Sequence, residues 1–434
     1  MRSLVSDAWL FASGFLALVG FASGSVALVV IAAMIFCTGG AARLWARVSL
    51  EEVVYRRTLS ERRVFVGETV QTTLILDNRK LLPVPWLELR ETLPRGMPTV
   101  GVRTSPGSLP GSQVLERATS MGRRDHIEWP LTLRAVRRGY YRVGPTRLRS
   151  GDIFGFFERE EETGRPVDGI TVYPLTYTLP ELGLDSARPF GDHRGGNRIH
   201  EDPSRVVGVR DYQPGDPMKR IDWYATARSN RLQSRLYEPS REQSVILALN
   251  IPTFEYSWQG ADPILLERGV AVAASIARWS VDTGASLGLI ANGSFADADR
   301  TIRIGAGRRP DRLSRVLEAL AMITSFTTSN MAGDLEDPAY PLPAGATIVL
   351  VAAIVPEELA ATLARLRAHG HFVTVVKTTR AEWPDNLGGI PVVSVAEAME
   401  VLEADADRAP TRDGLDAPDA PVTPVPPAAL AVGA

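Results

Sequence analysis

Between Asp7 and Arg43 the chain carries no charged side chain; the run from Ala8 to Ala42 reads AWLFASGFLALVGFASGSVALVVIAAMIFCTGGAA. As one straight helix it would be roughly 50 Å long, against a hydrocarbon core of about 30 Å. Ser23-Gly24-Ser25 divides the run, which predicts two short apolar spans, 8–22 and 26–42, folded as a membrane hairpin. Limbs this short imply tilt or local thinning of the bilayer. A cleaved signal peptide is the alternative. With only Arg2 ahead of Asp7, and apolar sequence continuing far past Ala22, an uncleaved anchor over residues 1–47 is the favoured reading.

Arg43, Arg47, Arg56, Arg57, Arg62 and Arg63 follow the second limb closely, so the positive-inside rule places the remainder in the cytoplasm, at the cell membrane. From Arg43 to Ser150 there are 20 Lys+Arg against 10 Asp+Glu, about +10, which leaves about −12 for the rest of a chain of net charge −2. Each cation of such a segment gains about 1 kcal/mol near an anionic leaflet. The lipid bilayer is therefore the first partner expected, and the near-neutral total gives no sign of nucleic acid. The single cysteine, Cys37, lies in the apolar run, so the soluble part has neither a disulfide nor a thiolate nucleophile.

Residues 48–174 read as an antiparallel β-sandwich-like domain. ETVQTTLILDN alternates after Val66-Gly67, and VPWLELRETL, IEWPLTLRAV and YYRVGPTRLRS follow as further strands. The polar stretch from Arg103 to Arg124 is expected to be a long loop. Asp152 precedes Phe154, Phe156 and Phe157, which suggests either a contact surface or, the preferred reading, core packing at a corner. No catalytic constellation is visible in this domain.

Residues 175–240 form an irregular linker. His193 and His200 stand in its glycine-rich part, beside Asp192 and Asp202, and are read as surface histidines. The linker then enters the stretch RVVGVRDYQPGDPMKRIDWYATARSNRLQSRLYE, Arg205 to Glu238, too charged for an ordinary core and too aromatic for an ordinary loop. Pro214-Gly215 signals a turn. Asp216 followed by Pro217 predicts a capped helix running to Arg228. With Ile221 and Trp223 buried, Asp222 would need a cation, and Arg210, Arg228 and Arg235 are the candidates. Two readings follow: an ion-paired clasp between domains, which is favoured, or a docking or ligand site.

From 241 to 405 strand and helix alternate: SVILALN, a long amphipathic helix ended by Gly284, two successive strands, then further helix–strand pairs. This predicts a mostly parallel sheet covered on both faces, with one antiparallel edge. Residues 406–434, rich in Pro, Ala and Asp with no aromatic residue, are expected to be a disordered tail.

The spacing of Arg210, Tyr212, Gly215-Asp216, Arg220-Ile221-Asp222-Trp223, Ala227-Arg228 and Leu232 resembles the hallmark of the bacterial domain of unknown function 58 family. Arg138-Gly139-Tyr140, Gly144-Pro145 and Asp152-Ile153-Phe154-Gly155 are similar to that family's β segment. The resemblance implies a Rossmann-like α/β domain of von Willebrand factor type A kind at 241–405. In intact type A domains the first strand ends in D-x-S-x-S around a divalent cation. Here those positions are Asn250, Pro252 and Phe254, so the metal site is expected to be lost and no cofactor is expected; Thr253 and Glu255 carry oxygens one place out of step. Relatives are associated with MoxR-type AAA+ ATPases and sometimes with transglutaminase-like membrane proteins. The expected function is a non-enzymatic, membrane-anchored adaptor or assembly factor. The alternative is a hydrolase using Asp211, Asp216 and Asp222.

Overall fold

A computed structural model of the chain describes residues 8–164, 167–185, 201–214, 216–239, 244–295, 301–383 and 386–408. His193, His200, Gly215 and the tail beyond Arg408 lie outside them. The described residues divide into two compact units, one ending at Val172 and the other running from Tyr173 to Arg408.

The first unit begins with α1 (Ala8–Ala22) and α2 (Val26–Val48), an antiparallel pair closed at Gly24, whose φ of +66° suits glycine. The pair packs closely because Gly39 lacks a side chain: a Cβ there would stand 2.3 Å from the Trp9 ring. With 23 residues, α2 is about 34 Å long. It is the one described helix long and apolar enough to cross a membrane, whereas the 15-residue α1 reaches only about 22 Å. Both helices leave large apolar side chains exposed, among them Phe11, Phe15, Phe21 and Met34. At the far end, Lys80 donates to the Val48 carbonyl at 2.6 Å and to that of Ser49, where a helix end lacks intrahelical donors for its carbonyls.

The strands of this unit are β1 (Val53–Leu59), β2 (Arg63–Phe65), β3 (Thr69–Asn78), β4 (Val84–Pro94), β5 (Ser105–Pro106), β6 (Ser112–Met121), β7 (His126–Arg134), β8 (Gly139–Val143), β9 (Thr146–Gly151), β10 (Glu158–Glu162) and β11 (Asp168–Tyr173). They form three sheets, β1-β3-β7, β10-β9-β4-β6-β5 and β2-β11-β8. Leu74 and Leu76 of β3, Leu87, Leu89 and Leu93 of β4, Leu115 of β6 and Leu133 of β7 meet in one apolar core, which makes the region sandwich-like. The period of two is visible in the burial of β3 and β4.

Two expectations fail here. The stretch 103–124 is not a loop, because β6 pairs along almost the whole of β4, with Leu115 and Met121 buried and Glu116 and Ser120 exposed. Of the three phenylalanines expected as core, Phe154 and Phe156 are exposed, as is Ile153, and Phe157 is half-buried. Asp152, rather than they, is the buried member of that corner.

In the second unit β12 (Glu201–Asp211) and β13 (Gln233–Pro239) form an antiparallel pair enclosing a short helix, α3 (Trp223–Ser229). There follow β14 (Ser244–Asn250), α4 (Pro263–Asp282), β15 (Ser286–Ala291), β16 (Gly293–Phe295), β17 (Ile302–Gly307), α5 (Arg312–Met322), β18 (Ile323–Thr327), α6 (Met331–Leu335), β19 (Thr347–Ala352), α7 (Glu357–Ala368), β20 (Phe372–Lys377), β21 (Asn386–Leu387), β22 (Ile390–Ser394) and α8 (Ala396–Arg408). The main sheet has the order β17-β15-β14-β19-β20-β22-β21. Strands β15, β14, β19, β20 and β22 run parallel, and β17 is the antiparallel edge beside β15. The middle strands β14, β15 and β19 are buried almost throughout, which explains their unbroken apolar sequences. The first strand, β14, lies between β15 and β19, so the direction of winding reverses beside it. In open α/β sheets, ligands bind outside the carboxyl ends of the strands at such a point.

Candidate functional site

Two regions follow from this frame: the central hairpin β12–α3–β13 and the carboxyl end of β14.

In the hairpin, Tyr212 N–H donates to Leu232 O (2.9 Å) and Asp222 N–H to Gln233 O (2.9 Å), so the intervening segment is stitched along the start of β13. Asp216 closes the turn: its carboxylate accepts from Gln213 N–H (3.1 Å) and from the Arg210 guanidinium (2.7 Å). It does not cap a helix. Only a 3₁₀ turn, Met218–Arg220, follows Pro217, and α3 starts after Asp222. Ile221 is extended because it bridges to Ser234, which costs the expected helix its middle. Asp222 is therefore the capping residue, accepting from Tyr224 N–H (3.1 Å) and Ala225 N–H (3.0 Å) while Arg235 donates to its other oxygen (3.1 Å). Asn230, with φ of 53°, ends the helix in the left-handed conformation.

Ile221 is buried, but Trp223 is 65 % exposed, so Asp222 is not drawn into a core. Arg228 lies over the Tyr224 ring at 4.9 Å. Hydrogen bonding from Arg210 holds the Asp216 carboxyl below its ordinary range, and the Ala225 amide with Arg235 does the same for Asp222. Asp211 accepts from the Gln233 amide at 2.5 Å. Each carboxylate thus has its own partner within the hairpin, and depressed acids such as Asp216 and Asp222 make weak general bases near neutral pH. The pairs Arg210–Asp216 and Arg235–Asp222 clasp the hairpin to itself. Around them Val209, Met218, Trp223, Tyr224, Leu232 and Leu236 are exposed.

At the end of β14, Asn250 and Asn292 are buried and linked. The Asn292 amide donates to Asn250 Oδ1 (2.9 Å), the Asn250 amide donates to Ile354 O (3.0 Å), and Ile251 N–H donates to Asn292 Oδ1 (2.8 Å). Both asparagine oxygens therefore have a donor. Thr253 Oγ1 accepts from Asp262 N–H (2.7 Å), and Asp262 caps α4. Pro252 and Phe254 supply no side-chain oxygen. The donor set does not fit a divalent cation. Among the described residues no cluster of three His, Cys, Asp or Glu side chains is placed to hold one. Beyond Phe254 the loop carries Tyr256 stacked on Trp258 (centroids 6.0 Å apart, 18° between planes), with Trp258 80 % exposed.

A further constellation in the first unit went unread. Glu91 is fully buried, on the inward register of β4 with Leu87, Leu89 and Leu93. It forms an ion pair with Arg57 and accepts from Tyr55 Oη (2.8 Å) and Thr146 Oγ1 (2.5 Å). Arg57 also donates to Val143 O (2.9 Å) and pairs with Asp168 (2.7 Å), which pairs with Arg62 (3.0 Å). Burial pushes the Glu91 carboxyl and the Tyr55 phenol up, while Arg57 opposes both shifts. Strict alternation in VPWLELRETL already sets Glu91 on the leucine face, and that was the available signal.

Residues 208–420 match the sequence family described as "Protein of unknown function DUF58". A curated relative, the "Uncharacterized protein YeaD" of Bacillus subtilis (strain 168), is 24% identical over 253 residues, 58% of this chain and 59% of the relative. The chain thus spans well under two thirds of that relative's length. Among solved structures, the CARDB domain of a Pyrococcus furiosus protein is similar at 12% identity with a TM-score of 0.20, over 28% of this chain and 86% of that one. A type II cohesin domain from the cellulosome of Acetivibrio cellulolyticus is similar at 10% identity with a TM-score of 0.20, over 28% and 95%. Across its central hairpin and α/β domain, the chain is similar to the DUF58 family.

Proposed function

We propose that this chain is a non-enzymatic, membrane-anchored adaptor or assembly factor. Its α/β domain is of von Willebrand factor type A kind and docks a MoxR-type AAA+ ATPase; a transglutaminase-like membrane protein is the second partner class. The observation that carries this reading is the end of β14. Its polar atoms are satisfied internally by the Asn250–Asn292 relay, while Tyr256 and Trp258 stand exposed beside it. A strand end with no ligand set for a cation and with a stacked aromatic pair facing outward suits a protein partner, since Trp and Tyr anchor such interfaces. The strand order, with β14 central and β17 as antiparallel edge, is consistent with a type A domain.

The soluble domains face the cytoplasm. The arginines from Arg43 to Arg63 support this orientation, and α2 has the length of a span. The central hairpin adds a second surface in which apolar side chains are flanked by Arg210 and Arg235. Charges so placed speed encounter and set specificity more than affinity. Co-purification of the full chain from native membranes is the test. The wild type should retain an AAA+ ATPase, in a salt-sensitive manner, and Tyr256→Ala with Trp258→Ala should release it. Recovery of no ATPase would sink the reading.

A further inference from the structure

We propose that the loop joining β9 to β10 is a second membrane contact, inserting Ile153, Phe154 and Phe156 into the interfacial region of the bilayer beside α1 and α2. The proposal rests on the reading of α2 as a membrane span.

The loop is built rather than loose. Buried Asp152 organises it: its carboxylate accepts from Phe154 N–H (2.8 Å) and Phe157 N–H (2.6 Å). Its carbonyl accepts from Gly155 N–H (3.3 Å) and the Trp86 indole (3.0 Å). Gly155 takes φ of +73°, and a Cβ on Gly151 would stand 2.2 Å from the Phe157 carbonyl oxygen. The tip so fixed leaves Ile153, Phe154 and Phe156 at 62, 62 and 66 % exposure, with the two phenylalanine rings stacked at 5.7 Å. Apolar side chains of this size gain by leaving water, so three held exposed on a rigid tip call for an occupant.

The position of the loop identifies that occupant as lipid. Phe157 packs edge-on against Trp9 of α1 (6.3 Å, 83°), and Trp9 in turn lies against Phe36 (5.8 Å) and Gly39 of α2. Gly39 stands 13 residues after Val26, about 20 Å along the helix axis. Measured from the Gly24 turn, that level is still inside a hydrocarbon core of about 30 Å. A loop docked there meets the bilayer on the side where Arg43 and Arg47 emerge, the depth at which aromatic side chains collect. Arg159 of β10 donates to the Arg47 carbonyl and fastens the hairpin to the helix end. The acids of β10 do not oppose the contact with unpaired charge. Glu158 pairs with Arg149 (2.5 Å), Glu161 with Arg159 (3.2 Å), and Glu160 and Glu162 lie 3.8 and 3.9 Å from Arg147.

The test uses the full chain with Cys37→Ser, reconstituted in vesicles of phosphatidylcholine and phosphatidylglycerol. Single cysteines replace Phe154, Phe156, Ser108 or Val30 and carry an environment-sensitive fluorophore; nitroxide lipids of graded depth serve as quenchers. Labels at 154 and 156 should be blue-shifted and quenched several-fold more than the label at 108, most strongly by shallow nitroxides, with the label at 30 quenched by deep ones. Labels at 154 and 156 that behave like the label at 108, while the label at 30 is quenched, would overturn the loop contact and leave the span standing. An unquenched label at 30 would overturn the span and this proposal with it.

Discussion

The Asn292 side-chain amide donates to Asn250 Oδ1 at 2.9 Å, across the carboxyl ends of two neighbouring parallel strands, β15 and β14. Asn250 passes the relay on to the Ile354 carbonyl beyond β19. The carboxyl end of β14 is thus a structural joint. Asn250→Ala removes both of its bonds and leaves the buried Asn292 amide without an acceptor, which costs about 1–3 kcal/mol for a buried polar group. Calorimetry of the full chain in detergent should show earlier unfolding of the α/β domain. Added Mg²⁺ or Mn²⁺ should leave the wild-type midpoint unmoved, and a chelator-sensitive rise lost in Asn250→Ala would contradict the assignment.

The Glu91–Arg57 pair calls for the largest single loss of stability. Glu91→Gln keeps the shape and removes the charge, leaving buried Arg57 without its most buried carboxylate neighbour. Breaking a buried pair costs about 3–5 kcal/mol. Denaturant unfolding of the first unit should shift to clearly lower midpoint. An unchanged midpoint would mean that the network is not structural.

Asp222 separates capping from charge. Asp222→Asn keeps an oxygen for the Tyr224 and Ala225 amides and loses only the attraction of Arg235, an exposed pair of small worth. Asp222→Ala removes the cap as well. Amide exchange across Trp223–Ser229 should therefore accelerate slightly in the first variant and strongly in the second. Equal acceleration in both would show that the Arg235 pair, not the cap, holds α3.

His126 gives a pH signature. Hydrogen bonding to Asp77 (2.5 Å) and Glu128 (3.0 Å) raises its pKa above 6.5, and the same contact lowers Asp77 below 3.8. The histidine's contribution is full below pH 6.5 and is lost as pH rises through its folded value. The aspartate's is present above pH 3.8 and is lost as pH falls through its own folded value. Both act together between these limits, modestly, because His126 is half exposed. An NMR titration should show His126 titrating above 6.5 and moving back toward it in Asp77→Asn.

Much of this was readable from residue patterns, and the exceptions have physical causes. The buried runs SVILALN and ATIVLVAAI mark the centre of the parallel sheet, because a strand covered on both faces has no reason to alternate. The charge-free run and its Gly24 turn mark the helical pair. The central stretch misled because Asp216-Pro217 has the form of a helix start. Pairing of Ile221 with Ser234 and of Asp222 with Gln233, both ten or more residues on, overrides it. Ile153-Phe154-Gly155-Phe156 misled for a related reason. Composition points such residues inward, and the Asp152 turn points them out.

The claim that the α/β domain meets an AAA+ ATPase through its strand-end loop is tested most directly by photo-crosslinking in living cells. A benzoylphenylalanine placed at Trp258 of the full chain occupies an exposed site in contact with none of the hydrogen bonds that hold the loop. On irradiation it should yield a covalent adduct with an AAA+ ATPase subunit, identified by mass spectrometry. The same probe at exposed Ser108 of the first unit should yield none. Adducts at 258 with other proteins only, or with lipid, would contradict the account.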